Sequence, residues 1–414
     1  MATDSWSLQP LGNLFPKIVV GYVGNVNKYY CEADTGVPFY RTLNIRDGHF
    51  RHDEIRYVTR AFNDKNKKSQ IENGDVVIAR VGANLGMTCQ VTGLQGSANM
   101  ANAIIIKAKD AIGADPDFFA YYLVSPMGKN QIFSGAAGGA QGVFNTKLTQ
   151  EILVPNPPLP EQKKIAEILS TWDQAITATE RMLENSQQRK KGLMQELLTG
   201  KKRLPRFEGE WSQQTLTEVA KVIVSPVDKK ANADEKPVRL CNYTDVYYNT
   251  RIVRDMPFME ATAKDSEIQK YTLKKGDVVI TKDSESPGDI AVPALIADDL
   301  NGVVCGYHLA ILRAKPHRLN GAFLSYLLSM QRTRYYFFTL ATGATRFGLS
   351  VAAIHNAELT LPPVPEQEAI AETLSVCDAE LEAIALRLDM LKKEKKALMQ
   401  QLLTGKRRVR TEAA

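Results

Sequence analysis

The 414-residue chain has five cysteines and five histidines, and neither set is spaced for chemistry. Cys31, Cys89, Cys241, Cys305 and Cys377 lie far apart with no Cys-x-x-Cys pair. That excludes a disulfide framework and a cysteine zinc site, and reads as isolated thiols in a reducing cell. His49, His52, His308, His317 and His355 are scattered, and His49/His52 has no second cluster at ligand spacing, so no metal site is expected. No apolar run approaches the ~20 residues of a membrane-spanning helix, and residues 103–106 are of buried-strand length. Asp4 and its polar neighbours stand where a secretory signal would be basic and then apolar, so the expected compartment is the cytoplasm, with no membrane partner. Also missing are a Gly-x-Gly turn after a strand, a Walker-type Gly-x-x-x-x-Gly-Lys and paired carboxylates at nuclease-like spacing. By itself the chain is expected to catalyse nothing.

The composition is that of a globular protein, with 44% hydrophobic and 24% charged residues and a net charge of +6. Lys+Arg minus Asp+Glu is +2 for residues 1–155, +3 for 156–205, +1 for 206–360 and 0 for 361–414. Neither globular stretch is strongly basic, so a nucleic-acid partner requires a local patch on each.

One segment is written twice. Residues 157–203 and 362–408 align at a constant offset of 205 with no insertion. Both open with Pro-Pro-x-Pro-Glu-Gln, ending at Gln162 and Gln367, and both close with Leu-Leu-Thr-Gly-Lys, ending at Lys201 and Lys406. Each reads as a long helix, because Pro160 and Pro365 suit a first turn, Glu161 and Glu366 complement the N-terminal dipole, and Gly200 and Gly405 suit a C-terminal stop. Ile165, Leu169, Trp172, Ile176, Thr179, Leu183, Ser186, Lys190, Leu193 and Leu197 alternate spacings of four and three. The second copy keeps the register with Ile370, Leu374, Cys377, Leu381, Ile384, Leu388, Leu391, Lys395, Leu398 and Leu402. A seam of about four heptads is the pattern of a coiled coil, and matched lengths favour pairing of the two helices over separate packing on the domains. Gly192 is expected to interrupt the first helix at a cost of ~1 kcal/mol.

The remaining stretches read as α/β (α+β) domains with a fainter repeat. Trp6 and Trp211 stand 205 apart, Gly74-Asp75-Val76-Val77-Ile78 reappears at 276–280 as a turn feeding a buried strand, and 118–124 matches 323–328 as helix. The expected layout is a first domain at 1–155, a helical spacer at 156–203, a second domain at 204–360, a second spacer at 361–408 and a tail at 409–414.

A variable domain, then Pro-Pro-x-Pro-Glu-Gln, a long helix and Leu-Leu-Thr-Gly-Lys, all repeated, resembles the specificity subunit of Type I restriction–modification systems. The resemblance covers essentially the whole chain. It implies two target recognition domains, each reading one half of a split double-stranded DNA sequence, and a pseudo-twofold, antiparallel coiled coil that spaces them and docks two adenine methyltransferase subunits. It further implies S-adenosylmethionine in the methyltransferase partner, ATP and Mg in two restriction subunits where these join, and no cofactor on this chain. A helix over 161–198 is about 57 Å long at ~1.5 Å per residue, which caps half-site separation near ~17 base pairs. Asn156-Pro157-Pro158-Leu159 imitates the Asn-Pro-Pro-aromatic motif that holds a flipped adenine, but Leu159 cannot stack and the second copy has Leu361 for Asn156. A stiff proline entry to a helix is the simpler reading. The sequence leaves open a self-sufficient or methylation-only methyltransferase component and a non-DNA coiled-coil adaptor.

For base reading, Arg or Lys suits guanine and Asn or Gln suits adenine in the major groove. The candidates in the first domain are Arg80, Asn84, Asn99, Asn102, Gln141, Asn145 and Lys147. In the second they are Lys282, Ser284, Ser286, Thr345 and Arg346, with Lys229 and Lys230 as phosphate contacts. The second domain lacks the Arg-x-Gly turn that follows the strand in the first. The plain alternative is that the glycines shape turns and these side chains are solvated. The basic ends, residues 201–203 and 406–408, could touch phosphate or complement the helix C-terminal dipole.

Overall fold

The computed structural model of the chain describes residues 6–137 and 143–411. It divides into two compact units, Met1–Glu180 with Leu386–Ala414, and Arg181–Ala385. Each unit is one mixed α/β domain together with part of both long helices, so the units cut across the spacer segments rather than leaving them as separate bodies.

Each domain is built on an antiparallel sheet whose middle is the repeated Gly-Asp-Val-Val-Ile stretch. In the first unit the strand order is Ile18–Val20, Ala103–Ile106, Val76–Ala79, Thr88–Gln90. In the second it is Ala220–Val224, Leu309–Ala314, Val278–Thr281, Pro293–Ile296, with Arg251–Ile252 added in parallel at the edge. The middle strands are buried on both faces, which explains their unbroken β-branched composition. Gly74 and Gly276 turn the chain into them with φ of 95° and 88°. The aspartate that follows is buried and needs a cation. Asp75 pairs with Lys107 at 2.7 Å and Asp277 with Arg313 at 2.7 Å, in each case across to the segment that follows or forms the neighbouring strand. The two unlike cations serve one structural purpose, pinning the start of the middle strand.

A second sheet flanks this one in each unit. It comprises Arg56–Val58, Val37–Tyr40, Ala98–Met100 and Gln70–Ile71 in the first, and Met259–Ala263, Lys236–Cys241 and Val304–Cys305 in the second. The unit is then closed by its ends. Leu8–Pro10 pairs with Leu153–Pro155, and Ser212–Thr215 pairs with Glu358–Leu361, in the same register, since Leu8 faces Pro155 and Gln213 faces Thr360.

From these closing strands the chain enters the long helices, Leu159–Leu197 and Val364–Leu402. Their apolar seam is layered. Ile165 and Leu169 are fully buried with Phe118, Phe119, Leu402 and Leu403, and Ile370 and Leu374 with Phe323, Leu324, Leu197 and Leu198. Leu398 packs at the edge of the first core and Leu193 at the edge of the second. Cys377 and Ile384 are buried, whereas Trp172, Ile176, Leu183, Leu381 and Leu388 are half-buried. Helix pairing and domain packing are therefore one core and not alternatives. Within each unit the helix segments run antiparallel. Asp173 meets Lys395 at 2.5 Å and Glu180 meets Lys392 at 2.7 Å in one. In the other, Lys190 meets Asp378 and Arg203 meets Glu366.

The repeated motifs hold this arrangement. Gln162 is fully buried; its Nε2 donates to the Pro157 carbonyl at 2.8 Å and to Asn156 Oδ1 at 3.0 Å, and its Oε1 accepts from Asp115 N at 2.7 Å. Gln367 repeats this with the Pro362 carbonyl at 2.8 Å and Asn320 N at 2.9 Å. Asp115 and Asn320 are the N-caps of the helices Pro116–Val124 and Gly321–Ser329, so the glutamine ties the linker, the long helix and the domain helix together. The basic ends also have an assigned use. Arg408 binds Glu161 with both contacts at 2.7 Å, and Arg203 binds Glu366 at 2.5 and 2.6 Å. Each guanidinium lies over a tryptophan, Trp6 or Trp211. Arg203 and Arg408 thus serve a buried carboxylate instead of the dipole or phosphate roles expected, while Lys201, Lys202, Lys406 and Arg407 are exposed.

Gly192 does not interrupt its helix, which continues to Leu197. A Cβ there would meet no atom within 4 Å. Gly192→Ala should stabilise the protein by about 1 kcal/mol, read as a higher denaturant midpoint. Lys107→Ala should do the opposite, leaving Asp75 buried without a cation at a cost of about 3–5 kcal/mol in the same measurement. A loss below ~1 kcal/mol would show that water reaches that carboxylate.

Candidate nucleic-acid interface

The middle strand of each sheet delivers its last residue to one end of the domain, where three chain segments meet. In the first unit Arg80 follows Val76–Ala79; its N–H donates to the Asn102 carbonyl at 3.4 Å and its carbonyl accepts from Phe144 N at 3.1 Å. Asn102 precedes the neighbouring strand in a left-handed conformation, φ 52°, which Asn tolerates better than most L-residues. Arg80 Nε is enclosed with no hydrogen-bond partner among the described residues.

The same junction exists in the second unit with other side chains. Lys282 N donates to the His308 carbonyl at 2.7 Å, and the Lys282 carbonyl accepts from Leu349 N at 3.0 Å. His308 is left-handed too, with φ 74°. Lys282 therefore stands where Arg80 stands, and His308 where Asn102 stands. The sequence has no Arg-x-Gly turn in this domain, yet the backbone junction recurs. His308 was missed because the pairs are separated by 202 and 206 residues while Phe144 and Leu349 are separated by 205, so no single alignment offset reveals them.

Around these junctions the loops differ. In the first unit the turn Gly82–Asn84 brings the Asn84 amide between the Thr42 carbonyl and Arg46 Nη1, both at 3.3 Å. That introduces Arg46, which the sequence reading passed over since no motif marks it. In the second unit Lys282 Nζ lies 2.6 Å from both Asp283 oxygens, and His308 Nδ1 lies 3.3 Å from Asp283 Oδ2. Ser284 Oγ hydrogen-bonds Tyr243 Oη at 3.0 Å, and Ser286 caps the turn Pro287–Asp289. Asp283 and Ser284 pair with Phe347 and Gly348, at the base of a hairpin loop on which Thr345 and Arg346 are exposed. These elements enclose a cleft of about 440 Å³ lined by Tyr243, Tyr247, Tyr248, Ser284, His308 and Arg346 with three carboxylates. Tyr243 and Tyr247 stack at 5.5 Å. A carboxylate here would repel phosphate on its own, but Asp283 is matched by Lys282 and can accept from a base amino group.

Other sequence candidates fall elsewhere. Asn99 is corrected outright: it is fully buried, its Nδ2 donating to Asn63 Oδ1 and the Asn66 carbonyl, both at 3.2 Å, and no groove can reach it. Asn145 caps the helix Thr146–Glu151 by accepting from Leu148 N at 3.0 Å. Lys147 on that helix is exposed, 4.0 Å from Glu151. Lys229 and Lys230 are exposed on the loop after Ser225, whose hydroxyl donates to the Cys305 carbonyl at 2.5 Å. Gln141 lies outside the described residues. Among the described residues no cluster of three metal-ligating side chains occurs. Burial pushes the Cys89 thiol up to about 12 and raises those of Cys241 and Cys305, so these sulfurs are core groups rather than nucleophiles.

The chain is 23% identical over 391 residues to the MjaVIII Type I restriction enzyme specificity subunit of Methanocaldococcus jannaschii, covering 92% of this chain and 88% of the relative. It is 24% identical to the StySPI specificity subunit of Salmonella potsdam, covering 89% and 81%. A crystal structure of a Type I restriction–modification system S subunit from M. genitalium shares the fold with a TM-score of 0.60 at 13% identity, covering 97% of each chain. A chain from a structural study of complex assembly and conformational transition in a type I R-M system gives 0.54 at 18%, covering 97% and 98%. The family described as Type I restriction modification DNA specificity domain matches residues 12–186 and again 208–390, one copy per globular domain, and the chain belongs to that family.

Proposed function

We propose that this protein is the DNA-reading subunit of a Type I restriction–modification complex and that each globular domain reads one half of a bipartite duplex target. The observation that carries this is the doubled junction. One backbone site, at the end of the middle strand, recurs in both units with different side chains, Arg80 and Asn102 in one and Lys282 and His308 in the other. Unlike readers at equivalent places suit a target whose halves differ in sequence.

Catalysis is assigned to partners. Methyltransferase subunits would bring S-adenosylmethionine and flip the target adenine, and restriction subunits, where present, would bring ATP and Mg. Two methyltransferase copies are supported by a groove that recurs at the 205-residue offset. In the first unit it is about 530 Å³, between the region around Val124, Pro126 and Phe133 and the long helices at Ile176, Lys395 and Met399. In the second it is about 820 Å³, with Ser329, Gln331, Leu381, Lys190 and Met194 at the corresponding positions. The cytoplasm, where host DNA lies, is the matching compartment.

Duplex binding by the assembled complex should weaken with salt along a linear log–log slope set by the number of phosphate contacts, and a flat response would exclude DNA as the ligand. Arg346→Ala should relax one half-site by about ten- to hundredfold and leave the other intact, as read by sequencing of methylated host DNA. Equal loss at both half-sites would contradict one domain, one half-site.

A further inference from the structure

Two positions per domain are tied to each other by backbone geometry, a link that the sequence does not show. At the first, the residue that follows the middle strand is held by two backbone hydrogen bonds, one through its N–H and one through its carbonyl, so its backbone is fixed at the sheet end. At the second, a left-handed residue supplies one of those acceptors, which sets the two residues opposite each other where the strand pair ends. From this shared frame we infer that Arg80 with Asn102, and Lys282 with His308, are the specificity-determining pairs whose identities set the base preference of each domain. The inference rests on the DNA-reading function proposed above and assigns its chemistry to particular side chains.

The side chains are suited to that task in different ways. Arg80 has its Nε enclosed and unpartnered among the described residues, and its terminal N–H groups, which are not in that enclosed set, are donors that a guanine O6 and N7 would accept. Asn102 offers an amide, the group that pairs with adenine N6 and N7. In the second domain Lys282 keeps a third N–H after its two contacts to Asp283. Asp283 also holds the His308 ring at 3.3 Å, so this carboxylate orients both members of the pair and is a positioning residue. Asn99, by contrast, shows how an amide of the right type is disqualified by burial.

The test exchanges the pairs within the full chain, assembled with its methyltransferase subunits and challenged with a randomised duplex pool. Lys282→Arg with His308→Asn gives the second domain the residues of the first, and Asn is compatible with the left-handed backbone there. Preference at one or two adjacent positions of that domain's half-site should change by about tenfold or more, while the other half-site is selected as before. The reciprocal exchange, Arg80→Lys with Asn102→His, should move only the other half-site, which keeps the inference testable if one variant fails to fold by circular dichroism. An exchanged complex that assembles and selects both original half-sites unchanged would overturn it. A wild-type complex that selects no sequence would overturn the DNA-reading function itself, and the inference with it.

Discussion

A carboxylate buried at the start of a helix needs a cation beside it to offset the loss of water, and that requirement organises this molecule. Glu161 and Glu366 are both buried, Glu366 completely, and each takes the guanidinium that follows the end of the other long helix. The arginine then covers a tryptophan at the start of a domain. One contact therefore joins three places in the chain: a helix start, a helix tail and a domain start. Gln162 and Gln367 extend the tie to the domain helix through its N-cap. Because these groups are buried, a lost partner leaves an uncompensated charge or an unmet donor, which costs far more than a surface pair would.

The same tie, made twice, frees the rest of each domain to differ. The middle strands keep their turn glycine, buried aspartate and β-branched run, although the pairing cation is Lys107 in one and Arg313 in the other. Tyr121 and Tyr326 both donate to the aspartate at the equivalent place on a long helix, Asp173 and Asp378, and burial first and that aspartate second hold both phenols well above their ordinary range. They remain neutral donors. The units part in the edge strand that only the second carries, in the flanking sheet, and beyond the strand ends, with an Asn84 turn in one and a tyrosine-walled cleft in the other.

Legibility followed the range of the physics involved. The long helices, the strand at 76–79 and the domain helices at 118–124 and 323–328 were visible because helical period, β-branching and terminal glycines act within a few residues. The glycine in the first helix misled because its local cost is outweighed by the seam that follows it, with Leu193 at the edge of the core and Leu197 buried in it. Asn99 misled because an amide on a strand looks the same in sequence whether it meets DNA or Asn63. His308 was hidden because insertions in the loops shift the two junctions by unequal amounts, and only strand pairing restores their equivalence.

The sequence alone determined that one unit is used twice, that each copy carries a long helix with an apolar seam, and that the domains have diverged. It could do so because these properties are local or periodic. Only the tertiary structure decided that Arg203 and Arg408 serve buried carboxylates, that the seam merges with the domain cores, and that Lys282 and His308 occupy the positions of Arg80 and Asn102. Those assignments depend on which distant segments a buried charge or an unpaired backbone group must find, and that is settled by packing in three dimensions.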